Sequence, residues 1–154
     1  MLINNKKLLA VMDGKVLPLS SVPDEVFSTG MLGGGFAIDP TADNVYSPVS
    51  GRVDSVTDTR HAYTIHSDDG LDVLVHIGID TVTLGGDGFI SLVEAGDSVR
   101  AGDIIARVDI DRIKQSGLSA ISPVIIANSD ELKSYDVKAG QVRGGKSAVL
   151  TYKK

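Results

Sequence analysis

Leu74-Val75-His76-Ile77-Gly78-Ile79-Asp80-Thr81-Val82 reads as a β-strand that carries one histidine on its polar side. Val73, Val75, Ile77 and Ile79 alternate with Asp72, Leu74, His76, Gly78 and Asp80, the period of two that sends successive side chains to opposite faces. The aliphatic set is expected to face a core. The other set holds carboxylates, a histidine and a glycine, a composition that a purely structural face seldom needs.

A second histidine lies just upstream, in the strand candidate Arg60-His61-Ala62-Tyr63-Thr64-Ile65-His66, and Ser67-Asp68-Asp69-Gly70 between the two strands are turn formers. With Asp68 and Asp69 as a two-residue hairpin turn, Ser67 opposes Gly70 and His61 falls directly opposite His76. Their Cβ atoms would then stand about 4.5–5.5 Å apart, on a face that also holds Tyr63 opposite Leu74. A three-residue turn would slip the register by one and break this pairing. Two facing imidazoles suit either an ordinary polar cross-strand pair on a wet hairpin face or a chemical pair. His66 falls on the other strand face, beside the turn, and reads as an exposed turn-flanking residue.

The chain has 154 residues, 42% hydrophobic and 23% charged, which suits one soluble domain spanning 1–154 with a substantial core. No apolar run is long enough for a transmembrane span or a signal-peptide core, so a cytoplasmic location is the default expectation. The absence of cysteine excludes disulfides, cysteine nucleophiles and thiolate metal sites. A net charge of −5 and a pI near 5.0 argue against nucleic acid as the main ligand and suit docking to a basic protein surface. Seventeen glycines beside 5% aromatic residues imply many turns between short strands.

Residues 1–7 are polar and expected to fray. Leu8–Met12 and Lys15–Leu19 read as short strands about Asp13-Gly14, and Val22–Ser28 as a single helical turn or loop. Gly33-Gly34-Gly35 permits close backbone approach before the strand at Phe36-Ala37-Ile38; without a following helix and lysine it is a poor phosphate cradle. Val45–Val56 resembles two short strands joined at Pro48–Gly51, and Leu84–Phe89 a tight glycine-rich loop. Val93–Asp109 contains Gly-Asp twice among alternating strands, like the barrel-forming repeat of biotinyl and lipoyl carrier domains, but lacks a lysine at a hairpin tip. Asp109–Ser116 suits a short helix with Ile110 and Ile113 buried and Gly117 as its stop. Ser122–Asn128 and Ala148–Thr151 are further strands. The total is all-β with one or two helical turns.

Val22-Pro23-Asp24, Gly35-Phe36-Ala37-Ile38, Ser47-Pro48-Val49-Ser50-Gly51, Thr59-Arg60-His61-Ala62, Val75-His76-Ile77-Gly78-Ile79-Asp80-Thr81-Val82 and Gly86-Asp87-Gly88-Phe89 occur in this order. With them the chain resembles the IIA component of the glucose family of the bacterial sugar phosphotransferase system, from about Gly14 to Leu150. The resemblance implies an antiparallel β-sandwich of the duplicated barrel-sandwich type, with a core over about 14–150. It also implies that His76 takes a phosphoryl group from the histidine-containing phosphocarrier protein and passes it to a cysteine of a IIB domain, with no metal or cofactor. Chemistry agrees, because a neutral imidazole nitrogen is a good nucleophile and transfer needs mainly positioning and charge stabilisation. His61 can hydrogen-bond the transferring oxygens and Thr59 can orient His61, as the family pattern also has it. The carbonyl of Gly78 can hold the second nitrogen of His76.

Tyr63, Leu74, Phe36 and Ile77 are candidates for an apolar collar that excludes water and docks both partners, with core packing as the alternative, above all for Ile77. Asp80 either receives a partner arginine, as the resemblance suggests, or caps the turn that follows. Gly34 stands where many relatives have an acidic residue, so one docking carboxylate is missing. Two other classes compete with the phosphoryl carrier: a mainly regulatory binding module controlled by phosphorylation of His76, with protein targets of its own, and a degenerate lysostaphin-like zinc peptidase. The latter needs a His-x-His pair and a further histidine, whereas this chain has three histidines and no such pair.

Overall fold

The computed structural model describes residues 6–154. In chain order the strands are β1 (Lys7–Leu9), β2 (Gly14–Leu17), β3 (Gly34–Pro40), β4 (Asn44–Tyr46), β5 (Gly51–Val56), β6 (Ala62–Ser67), β7 (Asp72–His76), β8 (Phe89–Ser91), β9 (Ser98–Val99), β10 (Ile104–Val108), β11 (Ser122–Ile126), β12 (Ser134–Val137), β13 (Gly140–Val142) and β14 (Ala148–Lys153). Two short helices, α1 (Glu25–Ser28) and α2 (Ile110–Gln115), complete the set with three 3-10 turns. All pairings are antiparallel. The main sheet has eight strands in the order β13-β2-β3-β11-β7-β6-β5-β9, and two three-stranded sheets run β1-β14-β12 and β4-β10-β8. No helix among the described residues is long and apolar enough to cross a membrane.

Alternation along the central strands divides the apolar residues between two clusters. Phe36 and Ile38 of β3, Val73 and Val75 of β7, and Val124 and Ile126 of β11 enter the main core. The residues between them, Ala37 and Ile125 with half-buried Leu74, point to the other face and meet Val22, Phe27 and Ile79 in a second cluster. Burying each large aliphatic or aromatic side chain contributes about 1.5–3 kcal/mol, which is what pins the register of such strands. The two Gly-Asp steps close matching turns: Asp97 accepts from the Glu94 N–H at 2.9 Å and Asp103 from the Arg100 N–H at 2.8 Å, as expected of a repeated local motif.

Several expectations hold at the level of elements. The helical turn expected within Val22–Ser28 is α1, which the structure shows capped by Asp24 accepting from the Val26 N–H, and α2 buries Ile110 and Ile113. Others need correction. Leu8–Met12 and Lys15–Leu19 do not pair about Asp13-Gly14: β1 pairs with β14, whereas β2 pairs with β3 and β13. Lys6 and Lys7 do not fray, because Lys7 pairs with Thr151 and the Lys6 carbonyl accepts from the Tyr152 N–H at 3.0 Å. The remainder of that expectation, residues 1–5, lies outside the described residues. Among the described residues, buried core positions run from Leu8 to Tyr152, beyond both ends of the expected span of about 14–150.

Candidate active site

β7 delivers His76 at its last position, and the chain then leaves the sheet through Gly78. Gly78 has φ +70°, and a β-carbon there would lie 2.6 Å from Thr81 Cγ2 and 2.9 Å from the Ser119 carbonyl oxygen. Only glycine fits both demands. Its N–H donates to Ser122 Oγ at 3.1 Å, and its carbonyl accepts from His76 Nδ1 at 2.7 Å. With the proton on Nδ1 engaged in this way, Nε2 holds the ring's available lone pair.

The β6–β7 turn is not the expected one. Ala62 opposes His76, Tyr63 opposes Val75, and Thr64 opposes Leu74. A two-residue turn of the favoured type needs positive φ at both central positions, and neither Asp68 nor Asp69 adopts it, whereas Gly70 does, with φ +90°. The turn therefore takes three residues, Asp68 to Gly70, and the register slips by one. His61 still reaches His76, by a different route. Its carbonyl accepts from the Ile77 N–H at 2.7 Å, the backbone leaves strand geometry at Arg60 (φ +59°), and the two rings meet edge to face with centroids 5.0 Å apart.

The same slip moves Tyr63 off the polar face. Tyr63 and Phe36 are fully buried in the main core, as is Ile77, so none of them can form a collar that touches a partner. Leu74 does lie on the outer face, half-buried against the second cluster. The apolar contact of His76 is instead Phe27 of α1, whose ring centroid lies 5.0 Å from that of His76. The elements flanking this contact expose Val26 (43%) and Val82 (52%). Phe27 was legible only as part of a single helical turn or loop, and nothing in the linear sequence relates it to residue 76.

Around His61, Thr59 Oγ1 lies 2.6 Å and Thr57 Oγ1 3.3 Å from Nδ1. Thr57 Oγ1 also accepts from the N–H groups of His61 and Ala62, both at 3.1 Å. Burial pushes the His61 imidazole below its usual value of 6.5. His76 is pushed down too, by burial first and by the neighbouring His61, against the opposing pull of the Gly78 carbonyl, Asp24 and Asp80. Asp80 is exposed, has φ +61°, and makes no side-chain cap to the turn that follows; its backbone carbonyl accepts from Thr83 instead. The capping alternative for Asp80 is therefore excluded.

His66 is exposed beside the turn, as expected, and pairs with Asp72 at 2.7 Å. Together with Asp54 these make the only group of three metal-ligating side chains clustered within 4.8 Å among the described residues. It does not include His61 or His76, and Asp54 already faces Arg52 at 3.8 Å.

Residues 6–132 match the family described as phosphoenolpyruvate-dependent sugar phosphotransferase system, EIIA 1. The chain is 44% identical over 134 residues to a PTS system glucose-specific EIIA component of Staphylococcus epidermidis, covering 87% of this chain and 81% of that protein. It is 44% identical over 130 residues to the component of the same name from Staphylococcus aureus, covering 84% and 78%. The solved structure of glucose permease IIA from Mycoplasma capricolum superposes with a TM-score of 0.88 at 39% identity, over 97% of this chain and 99% of that one. Neither the zinc-peptidase nor the mainly regulatory alternative finds support in these relatives. On the family match, the identities and the shared fold together, the chain belongs to the EIIA 1 family of the phosphoenolpyruvate-dependent sugar phosphotransferase system.

Proposed function

We propose that Nε2 of His76 is the atom on which this chain carries a phosphoryl group in sugar uptake. The family supplies the role, since its members transfer phosphate through a histidine, and it implies a phosphocarrier and a IIB domain as partners. The observation that carries the choice of His76 is its 2.7 Å hydrogen bond to the Gly78 carbonyl. That bond occupies Nδ1 and fixes the ring with Nε2 as nucleophile. Burial keeps the imidazole neutral near pH 7, so its lone pair is available.

In the first step Nε2 of His76 forms a bond to phosphorus as the N–P bond of the phosphocarrier's phosphohistidine breaks, and the donor imidazole leaves with the electron pair. In the second step a thiolate of the IIB domain attacks phosphorus and the N–P bond on His76 breaks, returning the lone pair to Nε2. His61 stabilises the equatorial oxygens during both steps. The Thr59 hydroxyl donates to Nδ1 of His61, which leaves the proton on Nε2 and makes it a donor toward the phosphoryl group. Phe27 shields one side of His76 from water. Val26 and Val82 supply the exposed apolar contacts of the docking face, and Asp80 offers a charge at its edge to a basic partner.

The test is incubation with phosphoenolpyruvate, the general phosphotransferase enzyme and the phosphocarrier, followed by mapping of the acid-labile phosphate. Label is expected on His76 and abolished in His76→Ala. Stoichiometric label on His61 or His66 in that variant would overturn the assignment.

A further inference from the structure

The loop that carries His61 is held from the side by a residue outside the reacting pair. Between β5 and β6 the backbone closes on itself, with the Arg60 N–H donating to the Thr57 carbonyl at 2.8 Å and the Thr57 N–H to that of Ala62 at 3.1 Å. Arg60 and Asp80 are the only described residues other than glycine with positive φ, a conformation disfavoured for any side chain with a β-carbon. At Arg60 the long side chain spans to the glycine-rich segment 84–89. Its Nε donates to the Phe89 carbonyl at 3.0 Å and its Nη2 to the Gly86 carbonyl at 3.2 Å.

The receiving segment is shaped for this contact. Gly86 has φ +90°, and a β-carbon there would stand 2.6 Å from Arg60 Nη2 and 3.2 Å from its Cζ. Phe89 is anchored in the main core. This segment directly follows the turn Thr81–Leu84, which itself continues from His76 through Gly78 and Asp80. The guanidinium therefore joins the loop before His61 to the chain after His76. A planar fork with separate donors suits two carbonyls at once, which a single ammonium on a flexible stem does not.

We infer that Arg60 is a positioning residue for phosphoryl transfer, locking the His61 loop onto the glycine-rich segment so that the His61 ring keeps its place beside His76. It rests on the reading of His76 as acceptor and His61 as the donor to the phosphoryl oxygens. Arg60 touches neither ring, and the charges that act on His76 are those of His61, Asp24 and Asp80. Its influence is geometric. Gly86 is its counterpart, needed because any larger residue would displace the guanidinium.

The experiment measures kcat and KM for the phosphorylated phosphocarrier with wild type, Arg60→Ala, Arg60→Lys, Gly86→Ala and the Arg60→Ala/Gly86→Ala double variant. Imidazole nitrogen shifts are followed by NMR in each. Arg60→Ala should lower kcat about tenfold with KM nearly unchanged, because displacement of a catalytic group by a fraction of an ångström acts on the transition state. Arg60→Lys should restore only part of the rate. Gly86→Ala should reproduce the loss of kcat, with a separate loss of stability from its backbone at φ +90°, and at equal folded fraction the double variant should be no slower than Arg60→Ala alone, since both break the same contact. The His61 nitrogen shifts should move while those of His66 stay. An unchanged kcat, a loss confined to KM, or additive losses in the double variant would each overturn the inference. If Arg60→Ala does not fold, Gly86→Ala and Arg60→Lys decide by the same criteria. Failure of the underlying reading shows separately, as label away from His76 in the wild-type chain.

Discussion

Replacing Gly78 by alanine tests the site at the point where backbone, packing and chemistry meet. The residue has φ +70°, and holding a β-carbon in the left-handed region costs roughly 1–2 kcal/mol. The new methyl would also lie 2.6 Å from Thr81 Cγ2 and 2.9 Å from the Ser119 carbonyl. Thr81 cannot rotate away freely, because it is fully buried and its hydroxyl donates to the Ile77 carbonyl at 2.5 Å. Overpacking of this kind costs typically 1–3 kcal/mol. The two contributions sum to about 3.5 kcal/mol at the middle of their ranges, equivalent to roughly 7–14 °C in Tm for a chain of this size. The same displacement moves the Gly78 carbonyl off His76 Nδ1, so acceptance of phosphate should fall by more than the folded fraction accounts for. Urea unfolding and the initial rate of His76 labelling, both at 20 °C, provide the two readouts. A loss of less than about 1 kcal/mol with an unchanged labelling rate would refute the claim that Gly78 fixes the tautomer of His76.

Three further outcomes follow from the same geometry. His61→Gln keeps a donor of comparable reach, so His76 should still accept phosphate while onward transfer to the IIB cysteine slows. His61→Ala should impair both steps more, and failure of a folded His61→Gln to be labelled would show that His61 does more than donate a hydrogen bond. Asp80→Asn should slow transfer from the phosphocarrier and weaken its dependence on salt; an unchanged rate and salt response would make Asp80 irrelevant to docking. Both His61 and His76 have folded values below the unfolded 6.5, so between those values the unfolded chain binds more protons. Stability should therefore be full above about pH 6.5 and fall as pH drops through the lowered folded values. Urea titrations at pH 7.5 and 5.5 should show this slope, and the His61→Ala/His76→Ala double variant should flatten it.

The sequence by itself determined the burial of Val73 and Val75, because alternation along a strand is a local property; the strand expected to run on to Val82 ends at His76, and Ile77 and Ile79 are buried by the packing of the turn that follows. Val73, Val75, Ile77 and Ile79 are all in cores, although Ile79 belongs to the second cluster beneath α1 rather than the main one. The helical turn within Val22–Ser28, the short helix after Asp109 and the tight glycine loop before Phe89 were legible for the same reason, each being specified by residues within a few positions. The pairing of Gly78 with His76 was also readable, since a carbonyl two residues away is within reach whatever the remainder of the chain does.

Tertiary structure alone decided everything that depends on one segment meeting another. Ser67 to Gly70 can close a turn of two or three residues, and the choice fell on the longer one because Gly70, not the aspartates, takes positive φ. That single step carried Tyr63 from the polar face into the core. Strand partners such as β1 with β14 join residues more than a hundred positions apart, a pairing to which no local pattern points. The approach of Phe27 to His76 and the span of Arg60 to Gly86 and Phe89 arise in the same way. They are set by how sheets, turns and caps pack into one volume, and packing is a property of all the segments at once.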